Sequence, residues 1–307
     1  MTRQPRFSFN VIYENTLNML DETLSSNQYL MSIVNDYEDG QWRQDIFLRF
    51  ILDNLVQTAL SYEERNKMIG DPFSALCYAA PRLRIVAKDK GKGGEIAEIC
   101  LYGIMRKYFN ALPVVPKIFH KQNSQDNAKG ADSVHILVNG DKTFSLWLGE
   151  AKFYKNLNSS RLDDPVQSVL NTIANNSLRK ENSIITDLKD IDCLIDDDCL
   201  VQEIKETLSP EVSLDRIKKV LNIPILLLYQ CDITRNAIEF TDEVKNQIVD
   251  FHTKSAVQYF KKLVEKQKES PIFKFDEIKF HLILFPVHDK QNIVDGFYKQ
   301  IDSFLRL

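Results

Sequence analysis

With 307 residues, 44% of them hydrophobic and 27% charged, the chain has the composition of a globular protein and the length for one large domain or two modest ones. Membrane and secreted classes are excluded as expectations. No apolar run approaches the roughly 20 residues of a span, Met1 to Asn10 has no apolar leader segment, and the five scattered cysteines lack a C-x-x-C pair and read as reduced thiols of a cytoplasmic protein. The net charge of −4 argues against a nucleic-acid partner on average, yet Arg82 to Arg161 carries fourteen Lys/Arg against seven Asp/Glu, a local +7 that leaves −11 elsewhere; extending the window through Asp163 and Asp164 lowers it to +5. A basic middle in an acidic chain suits a local phosphate-binding face.

Residues from about Val11 to Met68 show helical spacing, with a break at Tyr37 to Gly40. Leu17, Leu20 and Leu24 share one face before the break; Ile46, Phe47, Phe50, Ile51, Leu55 and Leu60 share one after it. A Lys/Gly-rich connection, Lys88 to Gly94, leads into a helix predicted from Glu95 to about Asn110. Its apolar stripe is Ile96, Ile99, Cys100, Gly103 and Ile104, and Arg106 and Lys107 suit its C-terminal dipole. Val114 to His120 reads as a short strand, and Lys121 to Gly130 as a polar loop. Ser133 to Val138 and Thr143 to Leu148 read as strands joined by Asn139-Gly140-Asp141-Lys142. A helix is predicted over Pro165 to Leu178, a solvated acidic helical insert over Asp187 to Asp215, and a buried strand over Ile223 to Cys231. Helix Thr241 to Lys268, strand Glu277 to Phe285 and helix Gln291 to Leu307 complete the chain. This alternation predicts an α/β domain over 81–307, carrying the acidic insert at about 185–217, preceded by a helical N-terminal region over 1–80.

The chemistry concentrates in the predicted hairpin. A turn centred on Asp141 pairs Val138 with Phe144, Ile136 with Leu146 and Val134 with Leu148, an apolar face throughout. The next pair on that face is Asp132 opposite Glu150, whose Cβ atoms in such a register lie about 4.5–5.5 Å apart. Lys152 follows on the same face about 7 Å along the strand. Asn139-Gly140 is also a two-residue type I′ signal, but a turn there pairs Val138 with Asp141 and strands Glu150 opposite Lys129. The centred register is preferred because it matches apolar with apolar three times. Two opposed carboxylates repel unless a cation lies between them, and Mg²⁺ favours a few carboxylates and waters.

The spacing Glu-x-Lys carries little by itself, since it occurs four times: Glu150/Lys152, Glu203/Lys205, Glu243/Lys245 and Glu277/Lys279. Those at 203 and 243 fall in charge-rich helical stretches and the one at 277 opens a strand. Only Glu150 follows a buried strand, with Gly149 allowing close approach and Asp132 opposed. Glu95 and Glu98, three residues apart on the preceding helix, offer a third acid. Glu95 suits the helix N-terminus; Glu98 lies deeper in the apolar stripe, where an unpaired carboxylate is costly, and is favoured for the site.

The order of a helix acid (Glu98), a strand Asp (Gly130-Ala131-Asp132), Gly149-Glu150-Ala151-Lys152 and a helix resembles the PD-(D/E)XK nuclease superfamily, with Ala131 in place of the proline. More closely, Gly94 to Leu101, Gly130-Ala131-Asp132-Ser133-Val134-His135 and Leu148-Gly149-Glu150-Ala151-Lys152-Phe153-Tyr154 are similar to the HamA family, the nuclease component of the Hachiman anti-phage defence system. The resemblance covers about Lys88 to Leu178. It implies a restriction-endonuclease-like mixed sheet flanked by helices and a Mg²⁺- or Mn²⁺-dependent endonuclease that cleaves DNA with little sequence preference. The metal would be held by Asp132, Glu150, Glu98 and the Ala151 carbonyl, with Lys152 positioning the attacking water. It also implies a partner helicase, HamB-like, that controls the nuclease. Other readings left open are a non-catalytic subunit binding helicase or DNA, and a restriction-type or junction-resolving nuclease of the same fold. His135 projects away from Asp132 and reads as structural. His120, with Lys117, Lys121 and Lys129, is a candidate phosphate contact, and Gln167 a candidate site contact from the next helix.

Overall fold

The structure, a computed structural model, describes residues 9–19, 25–83, 93–116, 118, 130–187 and 190–306. Their centre is a seven-stranded mixed sheet. Its strands are β1 (Asn10–Thr16), β2 (Gln28–Val34), β5 (Leu112–Val115), β6 (Ser133–Val138), β7 (Phe144–Tyr154), β8 (Leu221–Gln230) and β9 (Lys279–Val287), in the order β1-β2-β9-β8-β7-β6-β5. The inner four, β2, β9, β8 and β7, run parallel, and the outer pairings are antiparallel. β3 (Tyr37–Glu38) and β4 (Gln41–Trp42) form a separate small hairpin.

Helices cover both faces. On one lie α1 (Gln44–Ala59), α4 (Gly94–Tyr108) and α12 (Lys290–Phe304), with α2 (Tyr62–Lys67) and α3 (Pro72–Ala79) outside them. On the other lie α5 (Asp163–Ile173), α6 (Asn175–Asp187), α7 (Asp190–Leu194), α8 (Asp198–Leu208), α9 (Leu214–Lys218) and the long α11 (Asp242–Glu269). A short α10 (Asp232–Asn236) follows β8. Strand β8, Leu-Asn-Ile-Pro-Ile-Leu-Leu-Leu-Tyr-Gln, is buried on both faces, which is why it reads as a continuous apolar run rather than an alternation. All five cysteines are free thiols.

Three expectations are corrected. In place of the helical spacing before the break, the described residues form two strands: β1 is the sheet edge, and β2 pairs with β9 from Gln28↔Phe280 to Ser32↔Leu284. Leu17 opens a short 3-10 turn (Leu17–Met19), and Leu20 and Leu24 lie outside the described residues. Asn10–Thr16 and Gln28–Val34 are therefore part of the sheet rather than a helical addition, and of the α-helices read before residue 80 only α1 to α3 remain. A central parallel strand such as Tyr29-Leu30-Met31-Ser32-Ile33-Val34 has no alternation to distinguish it from a buried helix. The acidic stretch is not a solvated insert. Ile191, Leu200, Val201, Ile204, Leu208, Leu214 and Ile217 join the core, while acids such as Asp192 and Asp197 turn outward to pair with Lys205 and Lys142. The helix read over Pro165 to Leu178 is two helices, α5 and α6, parted at Ala174 with extended backbone.

Candidate active site

The β6–β7 turn is the centred one. Asn139 N–H donates to the Thr143 carbonyl at 2.8 Å and Lys142 N–H to the Asn139 carbonyl at 3.1 Å, with Lys142 left-handed at φ 64°. Asp141 Oδ1 accepts from Thr143 N–H at 3.1 Å. The ladder then runs Val138↔Phe144, Ile136↔Leu146, Val134↔Leu148 and Ser133↔Gly149. One step outward, Asp132 N–H donates to the Gly149 carbonyl at 2.7 Å, and Asp132 Oδ2 accepts from Ala151 N–H at 3.1 Å.

At Glu150 strand β7 loses one of its two neighbours. Before it, β7 pairs with β6; from Glu150↔Ile225 to Tyr154↔Tyr229 it continues along β8 alone. The β7–β8 ladder lapses between Trp147↔Asn222 and Glu150↔Ile225, the span holding Pro224, which has no N–H to donate. Gly149 faces α4, where a Cβ would overlap Ser133 Oγ and come within 2.7 Å of Leu101 Cδ2, so glycine here lets helix and sheet close up. The site face opens where β6 stops, and there Asp132, Glu150 and Lys152 line a cavity of about 260 Å³ together with Gly130, Ser168 and Ser177.

Glu150 is 5% exposed. Burial pushes its carboxyl up most, and the Asp132 charge adds to that. Lys152 and a hydrogen bond from Ser168 oppose the rise, and the result is about 7. Lys152 Nζ hydrogen-bonds Glu150 Oε1. Burial disfavours the Lys152 ammonium, but Glu150, Asp132 and Glu98 together hold its pKa above the ordinary lysine value. This donor set fits a hard divalent cation. Two adjacent carboxylates, one buried and held reluctant to ionise by its neighbour, gain most from a further positive charge.

The structure thus brings Asp132, Glu150 and Lys152 together, with the Ala151 peptide between the two last. Glu98, half-buried on α4, does not line the cavity, although its charge reaches Lys152. Among the described residues no group of three or more His, Cys, Asp or Glu is gathered to hold a metal ion. His135 is fully buried against Tyr102, at 4.8 Å between ring centroids, and burial, with Arg106, holds it neutral at about 3; it is structural, as read. His120, Lys117, Lys121 and Lys129 lie outside the described residues. Gln167 is exposed and spends its amide on Asn171 at 3.0 Å. The next residue, Ser168, is the one that reaches Glu150. The sequence pointed to the right helix and missed its facing by one position. Glu181 on α6 was missed outright: it is buried, and its Oε1 accepts from Ala131 N–H at 3.0 Å. Nothing in Ser177-Leu178-Arg179-Lys180-Glu181-Asn182 separates it from a solvated acid.

The sequence pattern of the HamA family matches residues 8–301. The chain belongs to the HamA family. HamA is a component of Hachiman anti-phage defence, and membership of that system implies partner components. The match takes in the sheet from β1 to β9, so the N-terminal strands and the C-terminal half belong to HamA as much as the hairpin does. No curated protein matches the chain. Among the described residues of this HamA member no helix is long and apolar enough to cross a membrane.

Proposed function

We propose that this HamA member is a metal-dependent nuclease of the PD-(D/E)XK type, cleaving DNA with little sequence preference as the effector of Hachiman defence under control of a partner helicase. The observation that carries the reading is the end of the β6–β7 hairpin, where Asp132 and Glu150 line one polar cavity just past the last pair, Ser133↔Gly149, and Lys152 is bonded to Glu150.

Asp132 and Glu150 are the residues that would hold Mg²⁺ or Mn²⁺, with the Ala151 carbonyl as a neutral oxygen and Glu98 as an outer acid. When bound, such an ion supplies charge neutralisation for the scissile phosphate and lowers the pKa of an attacking water. The protein's own part is positional. Ala151 N–H fixes the Asp132 carboxylate and Ser168 steadies Glu150. Lys152, kept cationic by three acids, holds a water or phosphate oxygen beside them. The basic stretch from Arg82 to Arg161 supports an anionic polymer as substrate.

The test is incubation of plasmid DNA with Mg²⁺ or Mn²⁺ and the purified chain, alone and with its helicase partner. Metal-dependent cleavage is expected in at least one of these, lost in Glu150→Gln and Lys152→Ala. Cleavage that survives both substitutions overturns the assignment. DNA binding without cleavage in the assembled system overturns the enzymatic reading.

A further inference from the structure

We infer that Glu181 is a positioning residue of this site, gripping the peptide that presents Asp132; the inference rests on the metal-dependent reading above. Glu181 comes from α6, a helix with no part in the hairpin, and is 1% exposed. Its Oε1 accepts from Ala131 N–H at 3.0 Å, one residue before Asp132. The next amide along the chain, the N–H of Asp132 itself, donates to the Gly149 carbonyl at 2.7 Å. Asp132 is thus clamped at two consecutive amides, by its hairpin partner and by a helix across the cavity.

Gly130 shows how close this grip is. A Cβ at that position would overlap Glu181 Oε1 and lie 2.7 Å from its Cδ, so only a residue without a side chain admits the carboxylate. The constraint at Gly130 is one of approach and not of backbone angle. Ser177, one turn before Glu181 and on the same helix face, lines the cavity with Gly130 and Asp132. A buried carboxylate is costly unless hydrogen bonds compensate its lost solvent. An apolar residue there would fill the space without fixing Ala131. What the site gains is an Asp132 whose backbone does not shift when a cation pulls on its side chain.

The role assigned is that of a hydrogen-bond acceptor. Glutamine at 181 retains a carbonyl oxygen for Ala131 N–H and therefore rescues what alanine loses. Losing an outer-sphere partner of a metal ligand costs about 10–100-fold in metal affinity. The experiment uses the full chain, with Mn²⁺ affinity measured by calorimetry and the Ala131 amide followed by hydrogen exchange. Glu181→Ala is expected to speed exchange at Ala131 and to weaken Mn²⁺ binding about tenfold. Gly130→Ala, which displaces the carboxylate, does the same, and the double variant is no weaker than either alone because both break the bond to Ala131. Glu181→Gln stays within about threefold of wild type, less than the loss of an outer-sphere partner. Unchanged Mn²⁺ affinity in Glu181→Ala overturns the proposal. So does a Glu181→Gln variant as weak as Glu181→Ala, or losses that multiply to about a hundredfold in the double variant. If Glu181→Ala does not fold, the Gln and Gly130→Ala variants decide. Wild-type affinity no higher than that of Asp132→Asn overturns the metal reading itself, and the exchange rates at Ala131 then decide the anchor alone.

Discussion

The two halves of β7 are built of the same backbone and have opposite chemistry. From Phe144 to Leu148 the strand is sandwiched between β6 and β8, and its inward side chains Phe144, Leu146 and Leu148 are buried in the core. From Glu150 onward β6 has ended, and the same face carries Glu150 and Lys152. The first half lies between two strands and under helices on both faces, and its one hydroxyl, that of Ser145, accepts from Trp147 Nε1–H at 2.9 Å. The second half keeps β8 on one edge and opens on the other into a cavity where charged groups meet each other and solvent. One unbroken strand carries core rigidity to the point where the acids must be held still.

The largest expected effect comes from the open half. Lys152→Ala and Glu150→Gln each lower cleavage of plasmid DNA by about 10²–10⁴-fold, the range for loss of a positioned acid–base group, while thermal unfolding stays close to wild type. A comparable loss of stability would break the division between halves. The paired half responds in the reverse sense. Leu148→Ala, fully buried, costs about 2–5 kcal/mol in denaturant unfolding with cleavage retained below the transition. At the junction, Gly149→Ala forces its Cβ toward Leu101 and Ser133 and costs about 1–3 kcal/mol by overpacking. Because this wedges α4 from the sheet just where Glu98 approaches, it lowers cleavage as well, and it is the one variant that moves both readouts. Ser168→Ala removes a single hydrogen bond to Glu150 and lowers cleavage about threefold to tenfold, the equivalent of about 1 kcal/mol. Smallest of all, Lys142→Ala breaks the exposed Lys142–Asp197 pair at the hairpin tip and shifts stability by less than about 1 kcal/mol, with cleavage unchanged.

The candidate site was legible because its logic is local. Val134, Ile136 and Val138 against Leu148, Leu146 and Phe144 specify one register, and its last pair, Ser133↔Gly149, leaves Asp132 and Glu150 beside one cavity. The Glu-x-Lys spacing was not informative: Glu203/Lys205 and Glu243/Lys245 lie on helices α8 and α11, with Glu203 and Glu243 exposed. The helices across the cavity were legible only in part. Ser168 and Gln167 are neighbours, and which of them faces Glu150 depends on the rotation of α5, set by packing of Val166, Val169 and Ile173.

What the sequence by itself determined is the set of elements whose pattern is periodic or whose pairing is adjacent: α1, α4, the β6–β7 hairpin, β8, α11, β9 and α12. Only the tertiary structure decided that Gln28 to Val34 is a strand, since a segment buried on both faces has no polar side to reveal its period. The same holds for the acidic helices α7 to α9, whose apolar stripes are short and scattered but meet one core. It holds too for Glu181, 49 residues from Asp132 in the chain and within hydrogen-bonding distance of its neighbour Ala131. A buried carboxylate and a solvated one have the same letter, and only the packing of α6 over Gly130 separates them.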